Sequence, residues 1–72
     1  KFDIRKREEI PLQQHRGEEF LHLMEGKLEF FTKDETIVLE EGDSIYFDSG
    51  VPHGYCGIGK ESPKALVVVY SP

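Results

Sequence analysis

Short apolar runs separated by turn residues constrain the fold of this chain more than any other feature of its sequence. Apolar or alternating runs occupy residues 2–4, 20–24, 28–31, 36–39, 45–47, 51–56 and 65–70. No window keeps a helical period of about 3.6 residues for two or more turns. Repeated short strands with turn residues between them are typical of a β-sandwich or a β-barrel. The sequence therefore predicts an all-β fold.

Segments rich in Gly, Asp and Lys are expected to form the turns between these strands. We predict hairpin connections at EGK, residues 25–27, and at TKDET, residues 32–36. Asp43 in the segment EEGDS is expected to cap a turn through the neighbouring backbone. Gly50 in the segment DSGVP is expected to adopt a positive φ, which a glycine does at little cost. These turns divide the chain into strands of a few residues each.

The run around residue 20 carries polar and apolar residues in a pattern that sorts them onto two faces. Successive side chains of a strand point to opposite sides, so Leu21 and Leu23 share the face of Glu19. The opposite face then carries Phe20, His22 and Met24, with His22 expected at a surface or an interface. Both faces of this strand are largely apolar. We therefore expect the outer face to be covered by another sheet, from a dimer partner or from a further part of the chain.

The small size of the chain points in the same direction. With 72 residues it forms one domain, and a core of this size supplies only about 3–5 kcal/mol of stability. An oligomer, or a flanking segment beyond the first residue, is thus expected, and the absence of an initiator Met suggests a fragment or a processed chain. The last run, ALVVVY at residues 65–70, is continuously apolar and predicts a strand covered on both faces.

Charge and cysteine content exclude several classes of function. The formal net charge is −5, from 14 acidic and 9 basic residues, so binding of a nucleic-acid backbone by this segment is not expected. No apolar run approaches the roughly 18 residues that a membrane-spanning helix needs. The single cysteine, Cys56, permits no disulfide within the chain and is expected to be a buried thiol, which favours a cytoplasmic location.

Two motifs in register resemble those of the cupin superfamily, whose first motif is His-x-His, three or four residues, Glu, six residues and Gly. His15 matches its second His, Glu19 its Glu and Gly26 its final Gly, while Gln13 stands in place of the first His. The second motif is matched at Gly42, Gly50 and His53; Asp48 and Gly57 stand where that motif has Pro and Asn. The resemblance implies a single cupin domain over residues 1–72, with motif one at 13–26 and motif two at 42–57.

The resemblance implies a small cupin-type β-barrel, a double-stranded β-helix or jelly roll, or a version of it truncated at the N-terminus. It also implies a divalent metal, such as Zn, Fe, Mn, Ni or Co, held by His15, Glu19 and His53. Gln13 would be a weaker oxygen donor, and a carboxamide in place of an imidazole should lower metal affinity. The residues also fit a second interpretation, in which both histidines hydrogen-bond to Glu19 in a polar barrel mouth without metal. Gln13 and Tyr55 are the predicted contacts for a small-molecule ligand.

A narrower resemblance concerns GEEF at 17–20, GDSIYFDSGVPHGY at 42–55 and the final YSP. These segments are similar to the cupin sensor domains that follow helix-turn-helix domains in bacterial transcriptional regulators. That similarity implies a homodimeric module that binds a small-molecule effector and leaves contact with nucleic acid to another domain. The alternatives are a small metal-dependent cupin enzyme of the isomerase or dioxygenase type, and a structural barrel without ligand.

Overall fold

The computed structural model describes residues 9–72, and this part of the chain contains six β-strands and no α-helix. The strands are β1 (Glu18–Glu25), β2 (Lys27–Thr32), β3 (Thr36–Leu39), β4 (Ser44–Asp48), β5 (His53–Ile58) and β6 (Lys64–Tyr70). The predicted run at residues 2–4 lies outside the described residues. No helix between residues 9 and 72 is long and apolar enough to cross a membrane. The predicted all-β fold is confirmed.

The strands form two three-stranded antiparallel sheets, in the orders β4-β1-β6 and β3-β2-β5. Of the connections between the six strands, only the one from β2 to β3 stays within a sheet, and every other connection crosses to the opposite sheet. Repeated crossing places the inward face of one sheet against the inward face of the other. This is the arrangement of a small cupin-type barrel or jelly roll, as the sequence predicts.

The core lies between the two sheets and consists mainly of leucine. Leu21 and Leu23 from β1, Leu28 from β2 and Leu39 from β3 are buried, with Ile45, Tyr55 and Ala65 packed against them. Full burial of one such side chain contributes about 1.5–3 kcal/mol. The alternation predicted for β1 is confirmed, because Glu19, Leu21 and Leu23 are buried while Phe20 and Met24 are exposed.

Two predictions about turns are wrong for a geometric reason. EGK does not close a hairpin, since β1 and β2 belong to different sheets and do not pair. Gly26, with φ of 86°, instead turns the chain from one sheet to the other directly after an irregularity of β1 at Leu23 and Glu25. Gly50 also differs from the prediction, because it does not have a positive φ. Its amide donates a hydrogen bond of 2.8 Å to Asp48 Oδ1, which shapes the loop without a left-handed residue.

Two other turn predictions are confirmed. The segment TKDET closes the hairpin between β2 and β3, and the hydroxyl of Thr32 accepts hydrogen bonds from the amides of Asp34 and Glu35. The Asp43 carboxylate accepts a hydrogen bond of 2.8 Å from the amide of Glu40, so it caps its turn as expected.

The prediction that the last strand is covered on both faces is wrong for the described chain. From Leu66 to Tyr70 every residue of β6 is exposed, on both faces of the strand. The reason is its position in the sheet order, since β6 pairs with β1 on one side and is the last described strand on the other. A continuous apolar run indicates that a strand forms, but whether other elements cover that strand depends on residues distant in the chain.

Candidate metal centre

Glu19 lies on β1, the central strand of the β4-β1-β6 sheet. Its side chain is on the inward face, near one end of the barrel. It pairs with Phe47 of β4 and with Val69 of β6, so apolar neighbours flank it on both sides. The side chain is buried, with 4% of the residue exposed. A buried carboxylate requires charged or hydrogen-bonding partners. Glu19 obtains them from the loop before β1 and from the opposite sheet.

His53 reaches Glu19 from the opposite sheet. It is the first residue of β5, is fully buried, and places Nε2 3.1 Å from Glu19 Oε2. An isolated bridge to Gln13 fixes its backbone, with both amides donating to the facing carbonyls at 2.7 and 2.9 Å. Pro52 precedes it and sets the entry of the chain into β5. The predicted second motif thus delivers a rigidly held imidazole.

His15 approaches the same carboxylate oxygen from the loop before β1. Its amide donates to the carbonyl of Ser49 at 3.0 Å, and its Nε2 lies 2.8 Å from Glu19 Oε2. In contrast to His53, its side chain is 39% exposed, so it stands between the interior and the solvent. One ligand atom from each of His15, Glu19 and His53 can be chosen so that all lie within 4.8 Å of one another. The structure therefore brings the three predicted metal ligands together.

The hydrogen bonds of the imidazole rings decide which nitrogen can act as a ligand. His53 Nδ1 is 2.7 Å from the carbonyl oxygen of Val51, and His15 Nδ1 is 3.3 Å from that of Arg16. A carbonyl only accepts, so Nδ1 carries the proton and, in a neutral ring, Nε2 carries the lone pair. In neutral rings of this tautomer both lone pairs face Glu19, whereas in a protonated ring Nε2–H faces it. Although His53 Nε2 is close to Oε2, it is not aligned as a donor and has no hydrogen-bond partner.

Two hydroxyl groups hold the carboxylate of Glu19. Ser49 Oγ donates to Oε2 at 3.0 Å within the buried interior, and Tyr55 Oη donates to Oε1 at 3.2 Å. Burial raises the pKa of Tyr55, and the negative charge of Glu19 and the hydrogen bond to it raise the pKa further. Tyr55 was predicted as a ligand contact, and the structure shows it bound to Glu19. Ser49 is not predicted from the sequence, because a serine in a polar turn carries no signal of burial.

Aromatic rings enclose the imidazole of His53. The ring of Phe47 lies 4.8 Å from it edge-on, that of Phe30 lies 6.3 Å away, and that of Tyr55 lies 6.0 Å away. Phe30 and Phe47 also contact each other at 4.7 Å. These rings exclude water from the inner side of the site, which strengthens electrostatic interactions with Glu19.

The arrangement fits a divalent transition metal. Two ligand atoms bound to one ion at about 2.1 Å and at right angles lie about 3.0 Å apart. The separations of 2.8 and 3.1 Å from Glu19 Oε2 to the two imidazole nitrogens are close to this value. Neutral imidazole nitrogens and a carboxylate oxygen are the donors that Zn, Fe, Mn, Co and Ni accept. The hydrogen bonds at Nδ1 and at the carboxylate match the outer partners that orient metal ligands.

Gln13 contacts His53 through its backbone, but its side chain forms no hydrogen bond with any of the three ligand candidates. Gln13 pairs directly with His53, so the side chains of the two residues leave the backbone on the same side of the bridge. The residue Gln13 is nevertheless exposed. Its predicted contact with a ligand stays a prediction. His22, in contrast, lies on the opposite face of β1, as predicted, where its Nδ1 is 2.7 Å from Ser44 Oγ. Cys56 is buried on the side of β5 that faces away from Glu19.

An open groove of about 670 Å³ adjoins the site at the barrel mouth. It is lined by Gln14, His15, Arg16, Gly17, Glu18, Tyr46, Asp48, Gly50, Tyr70 and Pro72. Of the three metal-ligand candidates only His15 reaches it, and neither Gln13 nor Tyr55 lines it. A molecule in this groove would meet the site through the exposed edge of His15.

Comparison with known proteins agrees with this geometry. The family model described as "Cupin domain" matches residues 1–70, which is nearly the whole chain. Searches of curated proteins and of solved structures gave no significant match. A match of this extent, together with the two three-stranded sheets and the His15, Glu19 and His53 cluster, establishes that the chain belongs to the cupin domain family.

Proposed function

We propose that this domain binds one divalent transition metal through His15, Glu19 and His53 and receives a small-molecule effector at the barrel mouth. The observation that carries the proposal is the unpartnered Nε2 of the buried His53, which lies 3.1 Å from Glu19 Oε2. With the proton held at Nδ1 by Val51, a lone pair and a carboxylate oxygen face each other. Either a second proton or a metal ion relieves this repulsion, and the poor alignment of Nε2 toward Oε2 favours the ion.

The donor set limits which ions would be held and what they would supply. Two imidazoles with one carboxylate favour Zn, Fe, Mn, Co or Ni over Mg and Ca, which prefer all-oxygen ligands. Three protein ligands leave coordination positions open, where a bound ion would act as a Lewis acid toward an oxygen of the effector. His15, as the exposed ligand, lies where an effector enters from the groove. Gln13 and Tyr55 do not line the groove and are proposed to contact the part of the effector that extends beyond it to the metal.

A sensor or regulatory module fits the described side chains better than an enzyme. On the inward faces of the six strands the titratable side chains are Glu19, His53 and Tyr55. Tyr55 donates to Glu19 and its pKa is raised, so it is a poor general base at neutral pH. The proposal therefore extends to an effector-binding domain of a cytoplasmic transcriptional regulator. Such a domain would not contact nucleic acid itself, in accord with its net charge of −5.

The open coordination positions support one alternative, a metal-dependent enzyme of the isomerase or dioxygenase type. The two functions differ in the fate of the bound molecule. Oxygen uptake by the Fe²⁺-loaded protein, measured with a panel of small carboxylates, separates a dioxygenase from a sensor. We expect no uptake above that of E19Q. Uptake that E19Q abolishes would replace the sensor assignment.

Metal titration of the chelator-treated protein tests the proposed site. Calorimetry with Co²⁺ and Zn²⁺ should give one ion per chain for the wild type, and H53A and E19Q should lose stoichiometric binding. H22A is the matched control, because His22 belongs to β1 but lies on the opposite face. Far-UV circular dichroism would establish that each variant is folded. Equal binding by H53A and the wild type, or equal loss in H22A, would remove the site assignment.

A further inference from the structure

The open groove at the barrel mouth has one side made by the ends of three strands. Glu18, Asp48 and Tyr70 are terminal residues of β1, β4 and β6, and the register places Glu18 directly between the other two. Their side chains point outward, because the next residue of β1, Glu19, is buried on the inward face. Tyr46 lies two residues before Asp48 on β4 and therefore shares this outward face. This side of the groove thus combines two carboxylates with two phenol rings.

The charges that line the groove favour a cation over an anion. Glu18 and Asp48 stand directly opposite each other, and like charges in opposite positions of a strand pair repel. Neither carboxylate forms an ion pair with another described residue, although Arg16 lines the same groove. Two carboxylates and one guanidinium leave an excess of negative charge among the lining side chains. A bound cation would relieve the repulsion between the two carboxylates.

The two tyrosine rings suit an organic cation better than a metal ion. Tyr46 and Tyr70 are 67% and 62% exposed, so both rings are open to a molecule in the groove. The face of an aromatic ring attracts ammonium groups that lie within about 6 Å of its centre, and such rings recognise methylated ammonium ions in particular. A hard ion such as Ca²⁺ instead requires about six to eight oxygen ligands. Two carboxylates beside aromatic rings are too few donors for such an ion.

Local hydrogen bonds and close packing hold this side of the groove in place before a ligand binds. Asp48 Oδ1 accepts a hydrogen bond of 2.8 Å from the amide of Gly50, and Gln14 Nε2 donates to the Gly50 carbonyl at 2.9 Å. Gly17 lies so close to the carbonyl of Tyr70 that a Cβ has no room between them. These contacts fix the Asp48 carboxylate and the end of β6. A preformed groove loses little conformational freedom on binding, which favours affinity for a small ligand.

We propose that the groove binds a small organic ammonium ion. The positive charge lies beside Glu18 and Asp48, and the methyl or methylene groups contact the rings of the two groove tyrosines. This inference rests on the effector site proposed above at the barrel mouth and assigns the ligand class of that site. The groove, of about 670 Å³, has the volume of a small-molecule site. Because His15 also lines it, an oxygen-bearing substituent on the cation would lie on the path to the proposed metal centre.

Binding of choline to the metal-free protein tests the ligand class. The control ligand is the alcohol in which a tert-butyl group replaces the trimethylammonium group, because it keeps the shape of choline and removes the charge. The chain has three tyrosines, and NMR of ring-labelled tyrosine observes each of them. We expect saturable shifts at Tyr46 and Tyr70 and none at Tyr55, which does not line the groove. The uncharged alcohol should bind roughly fivefold or more weakly.

Charge variants test the electrostatic part of the proposal. E18Q and D48N should each weaken choline binding by roughly two- to fivefold. The asparagine of D48N keeps an oxygen that can accept the hydrogen bond from Gly50. R16Q should instead tighten choline binding by a similar factor, because it removes the guanidinium that opposes a cation. E35Q, in the β2–β3 turn, removes a carboxylate elsewhere and should leave choline binding unchanged.

Ring variants test the aromatic part. Y46L and Y70L should each weaken choline binding by roughly two- to fivefold, because leucine keeps apolar contact but lacks an aromatic face. Both tyrosines are exposed, so leucine should be tolerated in the fold. Choline binding that neither substitution changes would show that the rings do not contact the cation.

Several outcomes would overturn the proposal. Equal binding of choline and the tert-butyl alcohol would show that the groove recognises shape and not charge. Tighter binding of acetate than of choline would assign the groove to anions through Arg16. Absence of a saturable shift at either groove tyrosine would show that no ammonium ion binds there. The metal titration is read separately: a protein that binds Co²⁺ but not choline refutes this inference alone, and one that binds choline but no metal refutes the metal centre alone.

Discussion

The substitution Ser49→Ala removes a single oxygen atom, that of the hydroxyl group that donates a hydrogen bond to Glu19. Ser49 is fully buried, and its hydroxyl donates to Glu19 Oε2 at 3.0 Å. This is the oxygen that both imidazoles approach, so the hydroxyl fixes the direction from which they meet it. Without Ser49, Tyr55 alone among the hydroxyl groups would hold the carboxylate, at the other oxygen.

The expected loss follows from the kind of hydrogen bond removed. A hydrogen bond to a charged group contributes about 1.5–3 kcal/mol, and burial keeps water from replacing the lost donor. For a domain of this size, each kcal/mol lowers the melting temperature by roughly 4–8 °C. Loss of an outer partner of a metal ligand usually weakens metal affinity by about 10–100-fold. S49A should therefore be both less stable without metal and weaker in metal binding.

Serine 44 provides the matched comparison. Its hydroxyl also bonds to a side chain, His22, but on the exposed face of the sheet. S44A should change the free energy of unfolding by no more than about 0.5 kcal/mol, as surface substitutions usually do. Urea denaturation of the metal-free proteins measures stability, and competition with a chelator measures Co²⁺ affinity. If S49A and S44A have the same stability and the same affinity, then Ser49 does not position Glu19.

Three further predictions concern individual residues of the site and its loops. Q13H should tighten metal binding by roughly tenfold or more, because Gln13 pairs with His53 and an imidazole there adds a good donor. Q14H, in the adjacent position, is the control and should not tighten metal binding. Equal gains in the two variants would refute this. The raised pKa of Tyr55 means that the unfolded chain loses the phenolic proton first, so the stability that this residue adds is complete below pH 10.0 and declines above it. Unfolding free energies of wild type and Y55F should therefore converge above that pH, and curves that stay parallel would contradict the shift. G17A should lower the free energy of unfolding more than G59A does. Both glycines have positive φ, but only a Cβ at Gly17 would overlap the carbonyl of Tyr70. Equal losses of stability in urea denaturation would show that the overlap is relieved.

The inward cluster could be predicted from the sequence because strand alternation is fixed by geometry and because the two motifs resemble those of a known family. Alternation along β1 sorts Glu19 from Phe20 without knowledge of any other strand, since the backbone sets a period of two. The spacing between His15 and Glu19 covers the loop that enters β1, and the second motif covers the loop that enters β5. Each motif therefore describes a local segment, and local segments can be interpreted from sequence.

Apart from the backbone angle of Gly50, which is set within its own loop, the errors concern contacts between segments that are distant in the chain. EGK has the composition of a hairpin turn, but whether it closes a hairpin depends on β1 finding β4 and β6 as partners instead of β2. Coverage of β6 depends in the same way on what lies beyond the sheet edge. Ser49 was missed because its value comes from Glu19, thirty positions away in the chain and adjacent only in the folded barrel.

The same distinction explains why the proposed site depends on residues whose identity neither motif specifies. His15, Glu19 and His53 supply the ligand atoms, but carbonyl oxygens of Arg16 and Val51 select the nitrogens that face Glu19. A backbone carbonyl is present whatever the side chain is, so only the fold can direct it at an imidazole. The chemistry of this site thus rests on the path of two loops, which cross the gap between the sheets and turn both Nε2 atoms toward one oxygen. Substitutions that change these loop paths, such as G17A, should therefore reduce metal affinity even where all three ligands remain.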